Sequence, residues 1–374
     1  MANVSTLGAA LDQISRLKVQ QGQVDLLTMQ IATGKKTQSF EGLGVEVLLS
    51  KRARADVGAL DTYINNIKNT DRRIKLMMNG IEDIQEQART ILNSFVTAVQ
   101  EGDFPDFQTM KDLTGNVSKF IIDTINLQDG DRYLYAGADS ANKPVTDTGL
   151  FESFLGEFVP DESDLTNPPL VASGVIGQWG DGSITTSQFI ASYRGVNETL
   201  LGYSPNMVDN QSGSVFVRVD DKSEFNYTVL ADSPGIKEIL TALKVFENLP
   251  PPEYAPGALN DPAATTFAND TPPFPPREKQ DNFYQVLNDL TQYLGAAIDK
   301  LDGEQFRLSQ VQAQITRVKV SHEEDINSLK SVISSVEDVD LTEAATKINQ
   351  LQISLEASFR VTALVSQLTL ANFL

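Results

Sequence analysis

Apolar residues recur at steps of three and four along both ends of this 374-residue chain, and they persist almost to its last residue. Near the start the stripe runs Leu7, Leu11, Ile14, Leu17, Val24, Leu27 and Ile31. Near the end it runs Leu341, Ala344, Ile348, Leu351, Leu355, Phe359, Leu364 and Leu368. That spacing is one face of an α-helix. Isolated helices are marginal in water, and chain ends are ordinarily polar and frayed. Two amphipathic ends therefore need cover, and the simplest cover is each other. Such a fold makes neighbours of residues as far apart as Leu11 and Leu355, with the rest of the chain inserted between them.

Two longer stripes lie inside the terminal ones. The first reads Leu60, Ile64, Ile67, Ile74, Met78, Ile81, Ile84, Ala88, Ile91, Phe95 and Val99, with no proline between Val45 and Gln100. As a single helix it would be roughly 80 Å long, and its spacing suits a coiled-coil seam. The second reads Leu287, Leu290, Leu294, Leu301, Leu308, Val311, Ile315, Val318, Leu329 and Val336. A further helix is predicted after Pro105, at Met110, Leu113, Val117, Phe120 and Leu127. Gly34, in Thr33-Gly34-Lys35-Lys36, is placed to cap the first helix at its C-terminus.

Between 130 and 279 glycine, proline, aspartate and serine rise. Val215, Val217 and Val219 alternate with polar residues, Asp220-Asp221-Lys222-Ser223 turns, and Phe225, Tyr227 and Val229 alternate again. That is a β-hairpin with one buried face. A short helix follows at 236–249, and the proline-dense stretch 249–277 reads as a surface connection. The predicted fold is mainly α with an inserted β-rich domain (α+β overall), on a long antiparallel helical hairpin or coiled-coil rod made by the N- and C-terminal segments. The expected domains are a terminal coiled-coil assembly region (1–45 and 337–374), a helical rod domain (46–130 and 280–336), and a β-rich, outward-facing insertion (131–279) carrying the loop 249–277.

Chemistry is hard to place on this sequence. A net charge of −20 opposes nucleic-acid binding, and the basic clusters (Lys35-Lys36, Lys51-Arg52, Arg72-Arg73) are short. There is no cysteine and one histidine, which removes disulfides, thiolate zinc sites and cysteine nucleophiles. His322 lies on the apolar stripe of a long helix and reads as a partly exposed packing residue rather than a catalytic base. Asp161-Glu162-Ser163-Asp164 lacks the spacing of an EF-hand loop and reads as a solvated acidic turn. Gly42-Leu43-Gly44 lacks the third glycine of a dinucleotide fingerprint, because Val47 stands there. Gly34-Lys35-Lys36-Thr37 lacks the upstream glycine of a P-loop, because position 29 is methionine. Trp179 reads as core of the inserted domain. The expectation is a non-enzyme with no cofactor, no metal and no catalytic residues. No apolar run reaches the ~20 residues of a membrane span, and 1–20 carries no signal-peptide pattern, so no membrane partner is expected and export should cleave no leader.

Several segments resemble bacterial flagellins and their hook–filament junction relatives. Ile31-Ala32-Thr33-Gly34-Lys35-Lys36 is similar to the family's helix followed by Ser/Thr-Gly-Lys/Arg. Asp338-Val339-Asp340-Leu341-Thr342-Glu343-Ala344-Ala345 resembles the acidic-Ala opening of its last helix. The ending Leu368-Thr369-Leu370-Ala371-Asn372-Phe373-Leu374 is closer to the junction branch. So is Asp129-Gly130-Asp131-Arg132-Tyr133-Leu134-Tyr135-Ala136-Gly137, which resembles that branch's Gly-x-Tyr-Leu-Phe-x-Gly signature. Ser192-Tyr193-Arg194-Gly195, Gly213-Ser214-Val215-Phe216 and Ala242-Leu243 echo its inserted domain. One departure stands out: Phe40-Glu41-Gly42-Leu43-Gly44 occupies the place of an Asp-Asp common in the family.

The resemblance implies a self-assembling structural subunit of the extracellular flagellum, at the hook–filament junction. It implies type III export in an unfolded state, with termini that are disordered until assembly. The implied partners are other copies in a helical layer, the first hook-associated protein, flagellin and a cytoplasmic export chaperone. Alternatives are a filament flagellin and, more remotely, an adhesin or enzyme displayed on the flagellum. The expected assembly interface is Leu7, Leu11, Ile14, Leu17, Val24, Ile31, Ile348, Leu351, Leu355, Phe359, Leu364 and Leu368.

Overall fold

The computed structural model describes residues 2–101, 106–146, 149–156, 174–180, 183–250 and 277–371. The acidic run 161–164 and almost all of the proline-dense stretch lie outside them. The chain divides into two compact units, one made of Met1–Ile64 with Val320–Leu374 and the other of Asn65–Lys319.

The first unit takes residues from both ends of the chain. It contains α1 (Ala2–Thr33), a 3-10 turn (Phe40–Glu46), the start of α2 (Val47–Glu101), the end of α9 (Arg277–Glu337) and α10 (Leu341–Ala371). Helix α1 stops where the sequence places its cap: Gly34 has φ 72°, and its N–H donates to Gln30 O at 2.8 Å. Helix α10 starts at Asp340, whose Oδ1 accepts from the N–H groups of Thr342 (2.8 Å) and Glu343 (3.1 Å). Its carboxylate also faces the positive end of the helix dipole. His322 is buried in this unit, not partly exposed, with its ring 6.0 Å from that of Tyr63.

In the second unit α2 and α9 run antiparallel. Gln85 Nε2 donates to Asp302 Oδ1 (2.7 Å) and Gln312 Nε2 donates to Asp71 Oδ1 (2.7 Å). The apolar stripe read from the sequence is their core: Ile74, Ile81, Ile84, Ala88, Ile91, Phe95, Leu287, Leu290, Leu294, Leu301, Leu308 and Ile315 are all fully buried. Helix α3 (Phe107–Ile125) packs on α8 (Pro234–Asn248). Phe95, Phe107 and Phe283 gather there around Phe246 and one another, with ring centroids 4.5–5.8 Å apart.

The architecture is mainly α, and its β element is small. Strands β1 (Gln128–Asp129) and β2 (Arg132–Tyr133) form one hairpin, and β3 (Phe216–Arg218) and β4 (Glu224–Asn226) form the other. The second has the predicted place and turn. Val217 pairs with Phe225, and Asp220 Oδ1 accepts from the N–H groups of Lys222 and Ser223. Val217, Val219, Tyr227 and Val229 are its buried face. Further buried apolar residues of the insert (Phe151, Leu155, Ile176, Phe189, Tyr193 and Met207) sit on short helices instead: α4 (Gly149–Leu155), α5 (Gly174–Gly180), α6 (Thr186–Arg194) and α7 (Pro205–Val208). Trp179 is fully buried there, stacked on Phe189 at 4.9 Å, with Nε1 donating to Thr186 Oγ1 at 3.1 Å. Helix α6 is anchored on α9 by Tyr193 Oη, which donates to Asp289 Oδ2, and by Arg194, which grips both oxygens of the same carboxylate.

Candidate assembly surface

Helices α1 and α10 pack on each other in antiparallel fashion, and their lengths match at 32 and 31 residues. Three contacts give the register. Lys35 bridges to Asp338, Gln20 Nε2 donates to Ser354 Oγ at 3.1 Å, and Ser358 shares a cleft with Gln13 and Arg16. Leu355 is therefore level with residues near 19 and not with Leu11, which is level with residues near 363. The neighbours expected from sequence are displaced by about two turns.

The seam is half-buried and only partly apolar. Gln13, Leu17, Gln20, Val24 and Leu27 face it from α1, and Ile348, Leu351, Ser354, Leu355, Ser358 and Thr362 from α10. Both helices carry a second apolar face. At about 100° per residue, Leu11, Val19 and Leu26 lie opposite the α1 seam and Ile353 and Leu364 opposite the α10 seam, with Ile14 and Val361 on the flanks. All seven are exposed, Ile353 by 70 % and Leu364 by 59 %. Phe359 is also exposed at the margin, and so is Ile31. Of the predicted interface residues, then, Leu17, Val24, Ile348, Leu351 and Leu355 meet inside the pair, while Leu11, Ile14, Ile31, Phe359 and Leu364 face outward; Leu7 and Leu368 lie on α1 and α10. Covering nine half-exposed large side chains would contribute roughly 1 kcal/mol each, close to ~10 kcal/mol before the cost of association.

At one end of the pair lies a polar cluster that the sequence did not announce. Glu337, the last residue of α9, has a side chain only 9 % exposed. Its Oε1 accepts from Ser50 Oγ (2.5 Å) and Arg54 Nε (2.9 Å), and its Oε2 accepts from Arg54 Nη2 (2.6 Å) and Lys35 Nζ (3.4 Å). Lys35 Nζ also donates to Asp338 Oδ1 at 2.5 Å. The backbone closes the same junction: Lys36 N–H donates to Glu337 O (2.7 Å) and Val339 N–H to Gly34 O (3.0 Å). Thr33-Gly34-Lys35-Lys36 and Asp338-Val339-Asp340, separate motifs in the sequence, are thus one structural joint.

The forked hydrogen bonds from Arg54, joined by those from Ser50 and Lys35, outweigh burial and hold the Glu337 carboxyl at about 2, well below the usual carboxylate range. The folded value is depressed, so the stabilisation is complete above the ordinary glutamate value and is lost as pH falls from about 5 towards 2. For a carboxylate this well covered, that amounts to about 2–3 kcal/mol. Thermal melts followed by helical circular dichroism should therefore weaken between pH 5 and 2 less in Glu337→Gln than in the parent. Equal slopes would show that the carboxylate contributes nothing.

Among the described residues no group of three or more His, Cys, Asp and Glu could hold a metal ion, and no helix is long and apolar enough to cross a membrane. Residues 291–374, which include most of α9 and all of α10, match the family model described as the bacterial flagellin C-terminal helical region. No curated protein matches the chain. Solved structures similar to it include a flagellar hook-associated protein of Vibrio parahaemolyticus, 10 % identical with a TM-score of 0.43 over 78 % of this chain and 97 % of that one. Another is Bacillus cereus FlgL, 12 % identical with a TM-score of 0.42 over 76 % of this chain and 98 % of that one.

Proposed function

We propose that this chain, which ends in a flagellin C-terminal helical region, is a structural subunit of the bacterial flagellum that joins hook to filament. One observation carries the reading. The matched segment contains α10, and α10 is apolar on two opposite faces, of which the chain itself covers one. A helix with two apolar faces needs cover on both, and for a subunit of a polymer the second cover is a neighbouring subunit. Leu11, Ile14, Ile31, Phe359 and Leu364 are the residues that neighbouring copies cover; Leu17, Val24, Ile348, Leu351 and Leu355 build the pair that presents them, and Leu7 and Leu368 extend it towards the chain ends. The neighbours are other copies in a helical layer, the first hook-associated protein on one side and flagellin on the other. A chaperone covers the same surface in the cytoplasm, and the subunit leaves unfolded by the flagellar export route. The subunit does no catalysis.

A filament flagellin is the second reading, favoured by the description of the matched region itself. The two separate cleanly. A tag placed within 251–276 should mark a single band at the distal end of the hook, and the purified subunit should stay short of long fibres. Label along the whole filament, with spontaneous growth of fibres, would replace the junction reading with the filament one. A chain ending before Leu355 that still carried filaments would overturn both.

A further inference from the structure

The seam between α1 and α10 repeats itself. Gln13 and Gln20 recur at seven residues, as do Leu17 and Val24; on the other helix so do Ile348 and Leu355. Sliding one helix past the other by a heptad, about 10 Å, sets Gln20 where Gln13 stood, Val24 where Leu17 stood and Leu355 where Ile348 stood. Rotating either helix exchanges its inner apolar face for its outer one. Helical pairing of this kind specifies that the two ends join, but leaves the register open unless something non-periodic closes it.

The joint at Glu337 is not periodic. Its carboxylate takes bonds from three different places in the chain, Lys35, Ser50 and Arg54, and each is anchored differently. Lys35 follows α1 directly, and the backbone bonds Lys36 N–H to Glu337 O and Val339 N–H to Gly34 O tie the end of α1 to the start of α10. A slide by one heptad would carry Lys35 about 10 Å from Glu337 and Asp338 and break both backbone bonds. It would strip Lys35 from Glu337 and Asp338, while Arg54 and Ser50, both on α2, go on holding Glu337 in place, and nothing in a slipped seam replaces the lost bonds.

We propose that Glu337, with Lys35, Arg54 and Ser50, is a register clamp that selects which heptad of α1 faces which heptad of α10. Fixing register is the best-attested use of buried polar groups in helical pairing. The clamp thereby decides which apolar residues end inside the pair and which remain outside for partners. It stands on the fold of this unit and not on the flagellar reading, so failure of an assembly assay leaves it untouched.

The natural absence of cysteine makes the test direct. In the full-length chain, Gln20→Cys is combined with Lys347→Cys, Ser354→Cys or Val361→Cys, and intramolecular disulfides are read in dilute solution from non-reducing gel mobility. The 20–354 pair reports the observed register, and the other two report slips of one heptad either way. In the otherwise natural chain, 20–354 should exceed each alternative at least tenfold. With Lys35→Gln, Arg54→Gln and Glu337→Gln together, that preference should fall below about threefold. A companion variant, Leu17→Ala with Leu355→Ala, weakens the seam and keeps the clamp; it should lower total yield and retain the preference. A triple variant that cross-links nowhere, beside a companion that keeps its preference, also supports the clamp. Tenfold preference surviving in the triple variant, its loss in the companion, or its absence from the otherwise natural chain would each overturn the proposal.

Discussion

Subunits carrying both Ile353→Asp and Leu364→Asp should remain folded and lose assembly altogether. The two positions lie eleven residues apart on α10, close to three turns, so they share one face, and they are 70 % and 59 % exposed. In the free subunit the new carboxylates stay in water, and the cost is limited to helix propensity, roughly 0.5 kcal/mol each. In an assembly that covers this face, each would have to leave water without a cation, at several kcal/mol apiece. The expected association constant falls by more than about a thousandfold, since each 1.4 kcal/mol is a factor of ten. Sedimentation or electron microscopy reads the assembly, and helical circular dichroism reads the fold. The seam supplies the contrast: Leu351→Asp with Leu355→Asp attacks half-buried positions and should unfold the α1–α10 pair itself. Normal assembly by the Ile353→Asp, Leu364→Asp subunit would show that the outer face of α10 meets no neighbour.

That contrast between inner and outer faces also measures what the sequence could convey. The long helices were legible because their stripes run for many turns, and a stripe such as Ile74 to Ile91 has a single buried answer. The caps were legible because Gly34 and Asp340 act on their own neighbours. The β3–β4 hairpin was legible because three alternating residues, a turn and three more are a local statement. By contrast, α4 to α7 span four to nine residues each, too few for a period of 3.6 to declare itself, so a helical insert read as β-rich. On α1 and α10 the periodicity marked apolar residues correctly but could not divide them between seam and outer face, because both faces are apolar. The same ambiguity misplaced Leu355 relative to Leu11. Glu337 went unread for a different reason. Its partners Ser50 and Arg54 are 287 and 283 residues away, and no spacing rule connects one glutamate to them.

The segment ending in Gly137 permits a sharper test, because a second glycine serves as its control. Gly130 and Gly137 have nearly the same backbone, φ 63° and 65°. An alanine at either position pays roughly 1–2 kcal/mol for the left-handed conformation. They differ in the space around them. A Cβ on Gly130 would meet nothing within 4 Å, whereas a Cβ on Gly137 would sit 2.6 Å from Gly213 O and 2.8 Å from Ser212 O. Those carbonyls cannot easily withdraw, since Ser212 O accepts from Ala138 N–H at 2.6 Å and Ala136 bridges to Leu230 on the same side. Tyr135, two residues before Gly137, is fully buried and donates its hydroxyl to Met77 O at 2.8 Å, so the segment has no slack towards α2 either. Gly130→Ala should therefore cost about 1 kcal/mol and Gly137→Ala about 3–4 kcal/mol, the difference being overpacking against backbone. Gly137→Asn discriminates further. Asparagine tolerates positive φ, so it should recover stability if conformation alone matters and none if close approach matters. Trp179, the sole tryptophan and fully buried in the same unit, reports unfolding in urea by its fluorescence. Equal midpoints for Gly130→Ala and Gly137→Ala would mean that this glycine is kept for its dihedral angle and that the contact with Ser212 and Gly213 is incidental to the fold.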